Sequence, residues 1–398
     1  MSLADETPAA RYARFCRQRA DAGGLRVLRP VGRAQGGWIE RDGGRLRNFS
    51  SNDYLGLATH PALIAQAQAW TREWGCGSTA SRLVCGDLDL FGQVESRVAR
   101  GKKTATALVF NSGFQANAAI LPALLDREIL GATPLVFSDR LNHASIHHGC
   151  QAAGVRQIRY RHNDLNHLET LLNKHQASPG PRFILSESVF SMDGDQVDVT
   201  ALVSLKNRFG AFLYLDEAHA TGVLGPEGFG LSARVPGEVD LVMGTFSKGL
   251  GGFGAYVACD QGLREYLINR AGGFIYATAL PPGVLGAMYA ALELLPTLDL
   301  ERERLLANAQ RVRQVFQAAG IDTGASSTQI IPMLVGEAEK ALEISRAFEA
   351  AGGLAVAIRP PTVPPGSSRM RFTLSALHDE EAIEFLLETI PQLWRKFS

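Results

Sequence analysis

The sequence predicts an α/β fold in which helices sandwich a mostly parallel seven-stranded sheet, followed by a small C-terminal α+β domain. Short apolar runs without alternation recur between about residues 100 and 260, as is typical of strands buried on both faces of a sheet. Helix-compatible segments separate most of these runs, which favours parallel strands joined by helical crossovers. After about residue 290 the pattern changes to charged amphipathic helices that alternate with short strands.

Seven apolar runs form the predicted sheet. They are ATALVF (105–110), PLVFS (134–138), VRQIRY (155–160), RFILSES (182–188), AFLYLDE (211–217), DLVMGTF (240–246) and GAYVAC (254–259). Helices are predicted between them, for example over 112–130 and 197–209. GAYVAC follows its predecessor after only a glycine-rich turn, which is too short for a helical crossover. We therefore expect that strand to lie antiparallel to its neighbour.

The chain of 398 residues is too long for one small core, and its pattern divides it into three parts. Residues 1–50 form an N-terminal segment with an amphipathic helix and a glycine-rich stretch. Residues 51–290 form the large domain and residues 291–398 the small C-terminal domain. In the last part a helix over 300–320 leads to the predicted strands QIIPMLVG, LAVAIRP and RMRFTLS and to a final helix.

Composition and charge narrow the class of protein. Basic and acidic residues number 40 each, so the formal net charge is zero, which gives no support for a nucleic-acid or membrane-surface partner. No stretch reaches about 18 uncharged apolar residues, and the N-terminal start lacks the apolar core of a signal peptide. The five cysteines are scattered without CxxC spacing, so we expect no disulfide framework, no metal site and a cytoplasmic location.

Polar motifs follow three of the predicted strands, at the strand ends where active sites lie in such sheets. Asp216-Glu217-Ala218-His219 follows AFLYL and Thr245-Phe246-Ser247-Lys248 follows DLVMG. The third motif, Asn111-Ser112-Gly113-Phe114, follows ATALVF and opens a predicted helix. These motifs are the candidates for the chemistry of the protein.

Lys248 is the candidate for a Schiff base with the carbonyl group of pyridoxal 5'-phosphate. A lysine that reacts with a carbonyl must be partly deprotonated and held against its target. Lys248 lies in a tight corner, TFSKGLGGFG, where the backbone can approach a ligand closely. Asp216, at the end of an apolar strand, suits the carboxylate that keeps the pyridinium nitrogen of this cofactor protonated.

The rest of the cofactor has candidate partners too. Backbone N–H groups at a helix start bind phosphate, and Gly113 and Phe114 offer them together with the hydroxyl of Thr245. A flat side chain is needed over the face of the ring. His143 in HASI, just after a predicted strand, is the candidate for it.

Seven motifs resemble those of the α-oxoamine synthases, a family of fold-type I PLP-dependent transferases. They are SNDYLGL (51–57), GFQAN (113–117), HASI (143–146), FSMDGD (190–195), DEAHATG (216–222), TFSKGLG (245–251) and RPPTVPPG (359–366). The likeness runs from about residue 20 to the C-terminus. Members of this family condense an amino acid with an acyl thioester and release CO2 and the thiol.

The resemblance implies four catalytic residues. Lys248 would carry the cofactor covalently and later act as the base for the α-proton. Asp216 would pair with the pyridinium nitrogen, His219 would hydrogen-bond the phenolic oxygen, and His143 would stack on the ring and contact substrate.

Binding residues are implied as well. Those expected around the cofactor are Gly113, Phe114, His143, Ser191, Asp216, His219, Thr245 and Lys248, with Thr278 contributed by a neighbouring subunit of a homodimer. Those expected to contact substrate are Arg26, Asn52, His143, Arg359 and Thr362. Arg359 would hold the carboxylate of the amino acid.

The segment AIRPPTVPPGSSRMRFTLSALH (357–378) is similar to the biotin-biosynthesis branch of the family. That branch joins L-alanine to a pimeloyl thioester of CoA or of acyl-carrier protein. PPGSSRM departs from the commoner alanine-glycine-threonine form. Branches that use glycine or serine therefore stay open: the aminolevulinate synthase, 2-amino-3-ketobutyrate ligase and serine palmitoyltransferase types.

Two other classes of protein were weighed. GLGGFG (249–254) matches the dinucleotide pattern of NAD-dependent dehydrogenases, but a strand-like run follows it and no acidic residue stands at the expected place. A non-catalytic PLP-fold partner subunit would lack the reactive lysine. Here Lys248, Asp216 and His219 are all present, which favours an enzyme.

Three histidines between residues 143 and 148 raise the question of a metal site. His143 and His147 would share one helix face, but no Cys or carboxylate in this segment completes a ligand set. We therefore expect His147 and His148 on the surface of a helix and no metal ion.

Overall fold

The computed structural model describes residues 6–21, 23–32 and 34–397, and its N-terminal part holds one helix and a small sheet. Helix α1 (Pro8–Asp21) has no buried residue. Strand β2 (Trp38–Arg41) pairs antiparallel with both β1 (Ala34–Gln35) and β3 (Gly44–Asn48). The outer edge of β3 pairs in parallel with a strand at Gly353–Leu354. Segments near opposite ends of the chain therefore share one sheet, a pairing that the sequence did not indicate.

All seven predicted strands of the large sheet are confirmed. They are β4 (Thr106–Phe110), β5 (Leu135–Asp139), β6 (Gln157–Tyr160), β7 (Arg182–Glu187), β8 (Ala211–Asp216), β9 (Leu241–Thr245) and β10 (Ala255–Cys259). Their order across the sheet is β4-β10-β9-β8-β7-β5-β6. Neighbours from β9 to β6 are parallel, whereas β10 is antiparallel to both β9 and β4, as predicted for GAYVAC.

The absence of alternation in these strands reflects two separate cores, one on each face of the sheet. In β4, Val109 belongs to one core, while Leu108 and Phe110 belong to the other. In β8, Leu213 and Tyr214 divide in the same way. Successive side chains of a strand point to opposite faces, so a strand covered on both sides must be apolar throughout.

Helices cover both faces and several begin at a capping side chain. They are α2 (Pro61–Trp74), α3 (Asp89–Lys102), α4 (Gly113–Leu124), α5 (Arg127–Leu130), α6 (Ala144–Ala152), α7 (Leu165–Lys174), α8 (Val199–Phe209), α9 (Gln261–Arg270), α10 (Gly272–Ile275) and α11 (Pro282–Leu294). The helix predicted over 112–130 is divided in two, because Asp126 caps a new turn by accepting from the backbone N–H of Glu128.

The C-terminal part contains the predicted small sheet. Its elements are α12 (Asp299–Ala318), β11 (Ile330–Gly336), α13 (Ala338–Ala350), β12 (Gly353–Leu354), β13 (Val356–Ile358), β14 (Ser368–Thr373) and α14 (Glu380–Phe397). Strand β14 lies between β11 and β13 and is antiparallel to both. The boundaries at residues 50 and 290 stay a prediction.

Helix length and hydropathy were also compared with the needs of a membrane span. Among the described residues, no single helix is both long enough and apolar enough to cross a bilayer. The segments Pro282–Thr297 and Asp299–Ala318, bent by 77°, meet the criterion only as a pair and only by length and composition.

Candidate active site

A pocket of about 190 Å³ opens at the carboxyl ends of the central strands. Predicted site residues that line it are Gly113, Phe114, His143, Asp216, His219, Thr245 and Lys248. Lining residues to which the sequence assigned no role are Asn117, Ser145, Glu187, Ala218, Met243 and Ser247. Parallel strands end at the same edge of the sheet, so motifs far apart in sequence meet here.

Lys248 follows β9 and touches the imidazole of His219. Its Nζ lies 2.8 Å from His219 Nε2, and His219 Nδ1 lies 2.6 Å from the hydroxyl of Tyr54. That hydroxyl donates to Asn52 Oδ1 at 3.0 Å. If Tyr54 donates its hydroxyl proton to Asn52, Nδ1 of His219 must be the donor to Tyr54. Nε2 of His219 is then free to accept from Lys248. The network therefore favours one neutral tautomer of His219.

Burial shifts both groups toward their uncharged forms. It lowers the pKa of Lys248 to about 8, even though the nearby carboxylates Asp216 and Glu187 act in the opposite direction. Burial, with the charge of Lys248 next, also lowers the pKa of His219 well below its ordinary value. An amine with such a pKa is partly unprotonated near neutral pH, which reaction with a carbonyl requires.

The carboxylate of Asp216 is buried at the end of β8 and held from two sides. Oδ1 accepts from the backbone N–H of Ala218 at 2.9 Å, and Oδ2 accepts from Asn117 Nδ2 at 3.0 Å. The same Asn117 amide donates to Ser145 Oγ at 2.8 Å and its oxygen accepts from the hydroxyl of Tyr214. Asn117, in the motif GFQAN, therefore orients Asp216, a role that its position in the sequence did not reveal.

A second buried carboxyl, Glu187, lies beside Asp216 because the two residues are paired in register on β7 and β8. Burial, followed by the charge of Asp216, raises the pKa of Glu187 well above its ordinary value. Its Oε1 accepts from the backbone N–H of His143. Glu187 thus helps to place His143, whose Nδ1 lies 2.6 Å from Ser145 Oγ at the start of α6.

The opposite end of the pocket is formed by the first turn of α4. The backbone N–H groups of Gly113 and Phe114 lie in the first turn of the helix, where the helix itself offers no carbonyl group to accept from them. A Cβ on Gly113 would meet nothing closer than 3.8 Å, so space is open in front of it. Thr245 Oγ1 donates to the carbonyl of Gly254 at 2.8 Å, and the exposed Ser247 adds a further hydroxyl to the pocket.

The chemical nature of these groups fits pyridoxal 5'-phosphate. The amine of Lys248, the buried carboxylate of Asp216 and the N-terminus of α4 line one pocket. The exposed side chain of His143 lines it too. No role of an individual residue is tested by this fit, and the predicted roles stay predictions.

Arg26, Arg359 and Thr362 lie in a different cavity, of about 540 Å³, between the N-terminal segment and β13. Arg26 donates to Thr362 Oγ1 at 3.2 Å, and Arg359 donates to the carbonyl of Gly23 at 2.9 Å. The three residues are therefore together, but none lines the pocket of Lys248. Their predicted contact with substrate stays a prediction.

Arg371 on β14 was missed by the sequence analysis and connects two predicted residues. It donates from Nε to the carbonyl of Ser191 at 2.6 Å and from Nη2 to Asn52 Oδ1 at 3.2 Å. Arg371 is buried, and among the described residues no carboxylate lies within ion-pair distance of it. A buried guanidinium with only neutral partners is costly unless an anion completes it. The sequence signal that could have identified Arg371 is an arginine within the apolar strand sequence RMRFTLS.

Thr278 and the two helix histidines lie at the margins of the site. Thr278 is exposed, and its carbonyl accepts from Asn111 Nδ2 at 2.9 Å. His147 is half-buried with Nδ1 2.8 Å from Gln157 Oε1, and His148 is exposed with its ring 5.6 Å from that of Phe114. Within the described ranges no group of three or more metal-ligating side chains is present.

The glycines after Lys248 do not line the pocket, and two of them lie against neighbouring backbone segments. A Cβ on Gly249 would lie 2.7 Å from the carbonyl oxygen of Thr221, and one on Gly251 would lie 2.4 Å from the backbone of Leu57 and Ala58. The run therefore packs the turn of Lys248 against two neighbouring segments.

The chain is similar to known proteins over nearly all of its length. The family model described as aminotransferase class I and II matches residues 45–390. A putative 8-amino-7-oxononanoate synthase of Magnetococcus marinus is 61% identical over 393 residues, covering 99% of this chain and 100% of the relative. The 8-amino-7-oxononanoate synthase of Gluconacetobacter diazotrophicus is 59% identical over 373 residues, covering 93% and 94%. The solved structure of SPT with a PLP internal aldimine superposes with a TM-score of 0.89 at 26% identity, covering 100% and 99%.

Proposed function

Because the chain belongs to the aminotransferase class I and II family and, within it, to the family of 8-amino-7-oxononanoate synthases, we propose a biosynthetic reaction for it. The reaction is the decarboxylative condensation of L-alanine with pimeloyl-CoA or a pimeloyl-carrier protein, releasing CO2 and the thiol, in biotin biosynthesis. The single observation that carries the proposal is the contact of a lysine amine of lowered pKa with a neutral, buried His219, across one pocket from the buried Asp216.

Each side chain of the pocket has a step that its geometry permits. Pyridoxal 5'-phosphate, when bound, takes up the electron pair that the α-carbon of the amino acid releases. Lys248 is the proposed attachment point and, as an unprotonated amine, accepts the α-proton. Asp216, held by Asn117, is the proposed partner of the ring nitrogen. His143 lines the pocket and is the proposed side chain over the face of the ring.

The carboxylate of the amino acid has two candidate partners. Arg359 is the one that the resemblance implies. Arg371 is supported by its burial, by its lack of an ion pair among the described residues, and by its link through Asn52 and Tyr54 to His219. We propose that Arg371 holds the carboxylate, with Asn52 beside it. Arg359 lines the larger cavity and not the pocket of Lys248.

The experiment that tests the reaction supplies the protein with pimeloyl-CoA or pimeloyl-carrier protein and with alanine, glycine or serine in turn. Thiol release and the mass of the product are measured. Alanine-dependent release with loss of CO2 is the expected result. Preference for glycine would place the protein in the aminolevulinate synthase or 2-amino-3-ketobutyrate ligase branch, and preference for serine in the serine palmitoyltransferase branch.

The attachment of the cofactor has a test of its own. Borohydride treatment should bleach a yellow protein and leave a covalent adduct on the peptide that contains Lys248. Lys248→Ala should bind the cofactor without an adduct and fail to turn over. Lys174→Ala, on the exposed end of α7, is the matched control and should keep both the adduct and the activity.

We also propose a homodimer. Val84 and Tyr276 are exposed by 78% and 86%, and an isolated bridge between Ser81 and Thr278 joins their two segments. Large exposed apolar side chains on neighbouring segments are typical of an interface. Light scattering should give twice the mass of one chain, and Tyr276→Asp should shift the protein toward the monomer.

Two coarser proposals remain. The large domain is taken as residues 51–290, between an N-terminal segment (1–50) and a small C-terminal domain (291–398), which limited proteolysis tests by the positions of the first cuts. The cytoplasm is the proposed location, because all five cysteines are unpaired, as a reducing compartment requires. Fractionation of cells that carry a tagged chain tests that location.

A further inference from the structure

His162 lies in the turn between β6 and α7 and contacts two buried aspartates. Its Nδ1 hydrogen-bonds Asp139 Oδ1 at 3.1 Å. Its Nε2 lies 3.1 Å from Asp195 Oδ2, within ion-pair distance but outside hydrogen-bond geometry. Asp139 is fully buried and Asp195 is exposed by only 3%. Two carboxylates so far from water require a cation nearby.

Among the described residues, two aspartates are the charged groups that shift the pKa of the imidazole. Asp139 faces it from the end of β5 and Asp195 from the 190–195 loop. The ring of Phe190 meets it edge-on at 4.4 Å, and the neighbouring Asn163 is neutral. Burial by itself lowers the pKa of His162, but the hydrogen bond to Asp139 and the negative charges of both aspartates raise it to about 10. The imidazole is therefore a cation at neutral pH.

The first aspartate holds the turn that leads to the active site. Asp139 accepts from the backbone N–H of Leu141 at 2.8 Å and from that of Asn163 at 2.7 Å. The next residue, Asn142, donates to the carbonyl of Leu185 at 2.8 Å. The chain then reaches His143, which lines the pocket.

The second aspartate closes the 190–195 loop. The carbonyl of Asp195 accepts from the backbone N–H of Phe190 at 3.1 Å, and its side chain accepts from Asn163 Nδ2 at 2.8 Å. Within this loop the carbonyl of Ser191 holds Nε of Arg371 at 2.6 Å. One imidazole thus connects the segment that places His143 to the loop that places Arg371.

We propose that His162 is a positioning residue, a cationic cross-link that holds the 139–143 turn and the 190–195 loop at a fixed distance from each other. His162 does not line the pocket, so it acts through His143 and Arg371. The inference deepens the proposed function and rests on it for the role of Arg371. Removal of the cation leaves Asp195 buried without a positive partner, which should loosen the loop.

The test compares His162→Asn with the double variant His162→Asn/Asp195→Asn. His60→Asn, at the N-terminus of α2, is the matched histidine-to-asparagine control. The measurements are the Kd for pyridoxal 5'-phosphate, the visible circular dichroism of the bound cofactor, and kcat and KM for the amino acid. His162→Asn should raise KM about tenfold with a smaller change in kcat, and should alter the dichroism. The double variant should recover part of both, because only one of the two buried carboxylates, Asp139, then lacks its cationic partner.

If His162 only stabilises the fold, a different set of results is expected. His162→Asn would then unfold more easily but keep the wild-type dichroism and KM, and that result would overturn the proposal. If His162→Asn does not fold, Asp195→Asn alone decides, since it keeps the imidazole: a raised KM supports the cross-link and an unchanged KM overturns it. Kd and dichroism need no acyl substrate, so they stay informative even if the wild-type protein fails to use alanine.

The pH dependence supplies a further arm. A group whose pKa is raised by folding stabilises the protein fully below its ordinary pKa of about 6.5 and loses this effect as the pH rises through the folded value. The unfolding free energy of the apoprotein, compared with that of the double variant, should therefore decline between about pH 7 and 10. A difference that is constant over this range would overturn the cationic role.

Discussion

The amine of Lys248 lies 2.8 Å from Nε2 of the buried His219. Because Tyr54 and Asn52 occupy the other side of that imidazole, the ring cannot turn away without breaking hydrogen bonds in a buried site. The lysine is therefore kept at one position by a neighbour that carries no charge. Burial, and not this contact, lowers the pKa of Lys248 and so favours the free amine over the ammonium group.

Capture of the cofactor by the apoprotein should follow the ionisation of Lys248. Its pKa is lowered to about 8, so the reactive amine grows as the pH rises to that value and is complete above it. The rate of absorbance change on mixing with pyridoxal 5'-phosphate should rise about tenfold per pH unit below pH 8 and then level off. Nα-acetyl-lysine is the control, and its rate should keep rising to about pH 10. A protein rate that also rises to pH 10 would contradict the lowered pKa.

Replacement of Arg371 by lysine should weaken binding of the amino acid. The forked guanidinium contacts Ser191 and Asn52 together, which a single ammonium group cannot reproduce. Arg371→Lys should raise KM for alanine by about tenfold or more. Arg359→Lys is the matched comparison at the other candidate. A larger effect at Arg359 would assign the carboxylate to that residue.

The ion pair between Lys102 and Glu217 should matter for stability far more than a surface pair. Both side chains are fully buried, and Glu217 also accepts from the backbone N–H of Ser232 at 2.9 Å. Lys102→Met should lower the free energy of unfolding in urea by about 3–5 kcal/mol, because a buried carboxylate loses its partner. Adding Glu217→Gln should restore part of the loss.

The control for that prediction is the exposed pair of Arg208 and Glu169. Arg208→Met should cost at most about 1 kcal/mol, since water and salt screen exposed charges. Equal losses from Lys102→Met and Arg208→Met would show that burial does not set the strength of the first pair.

Glycine is required at position 251 and not at its neighbour. Gly251 has a φ of +64°, and an added Cβ would lie 2.4 Å from backbone atoms of Leu57 and Ala58. Gly251→Ala should therefore destabilise the protein by more than about 2 kcal/mol, measured by urea denaturation. At Gly252 the nearest atom would be 3.7 Å away, and Gly252→Ala should cost less than about 1 kcal/mol. Similar losses at both positions would rule out this packing as the reason for the glycine run.

Elements and reactive residues could be predicted from the sequence wherever the signal is local. The unalternating run AFLYL predicts a strand covered on both faces, and the polar residues directly after it, Asp216 and His219, must then lie at the edge of the sheet. Lys248 was found in the same way. Each of these inferences uses neighbours in sequence only, and the seven-stranded sheet that they implied is confirmed.

Which residues far apart in sequence lie close together in space depends on the tertiary structure. Arg371 meets Asn52 across 319 positions, and Lys102 meets Glu217 across 115. No local pattern records such contacts, because strand order and helix packing bring the partners together only when the chain closes on itself. The pKa values of Lys248 and His219 also depend on the tertiary structure, because burial and nearby charges in the folded site set them. The sequence thus identified the reactive groups, and the fold determined their partners and their protonation.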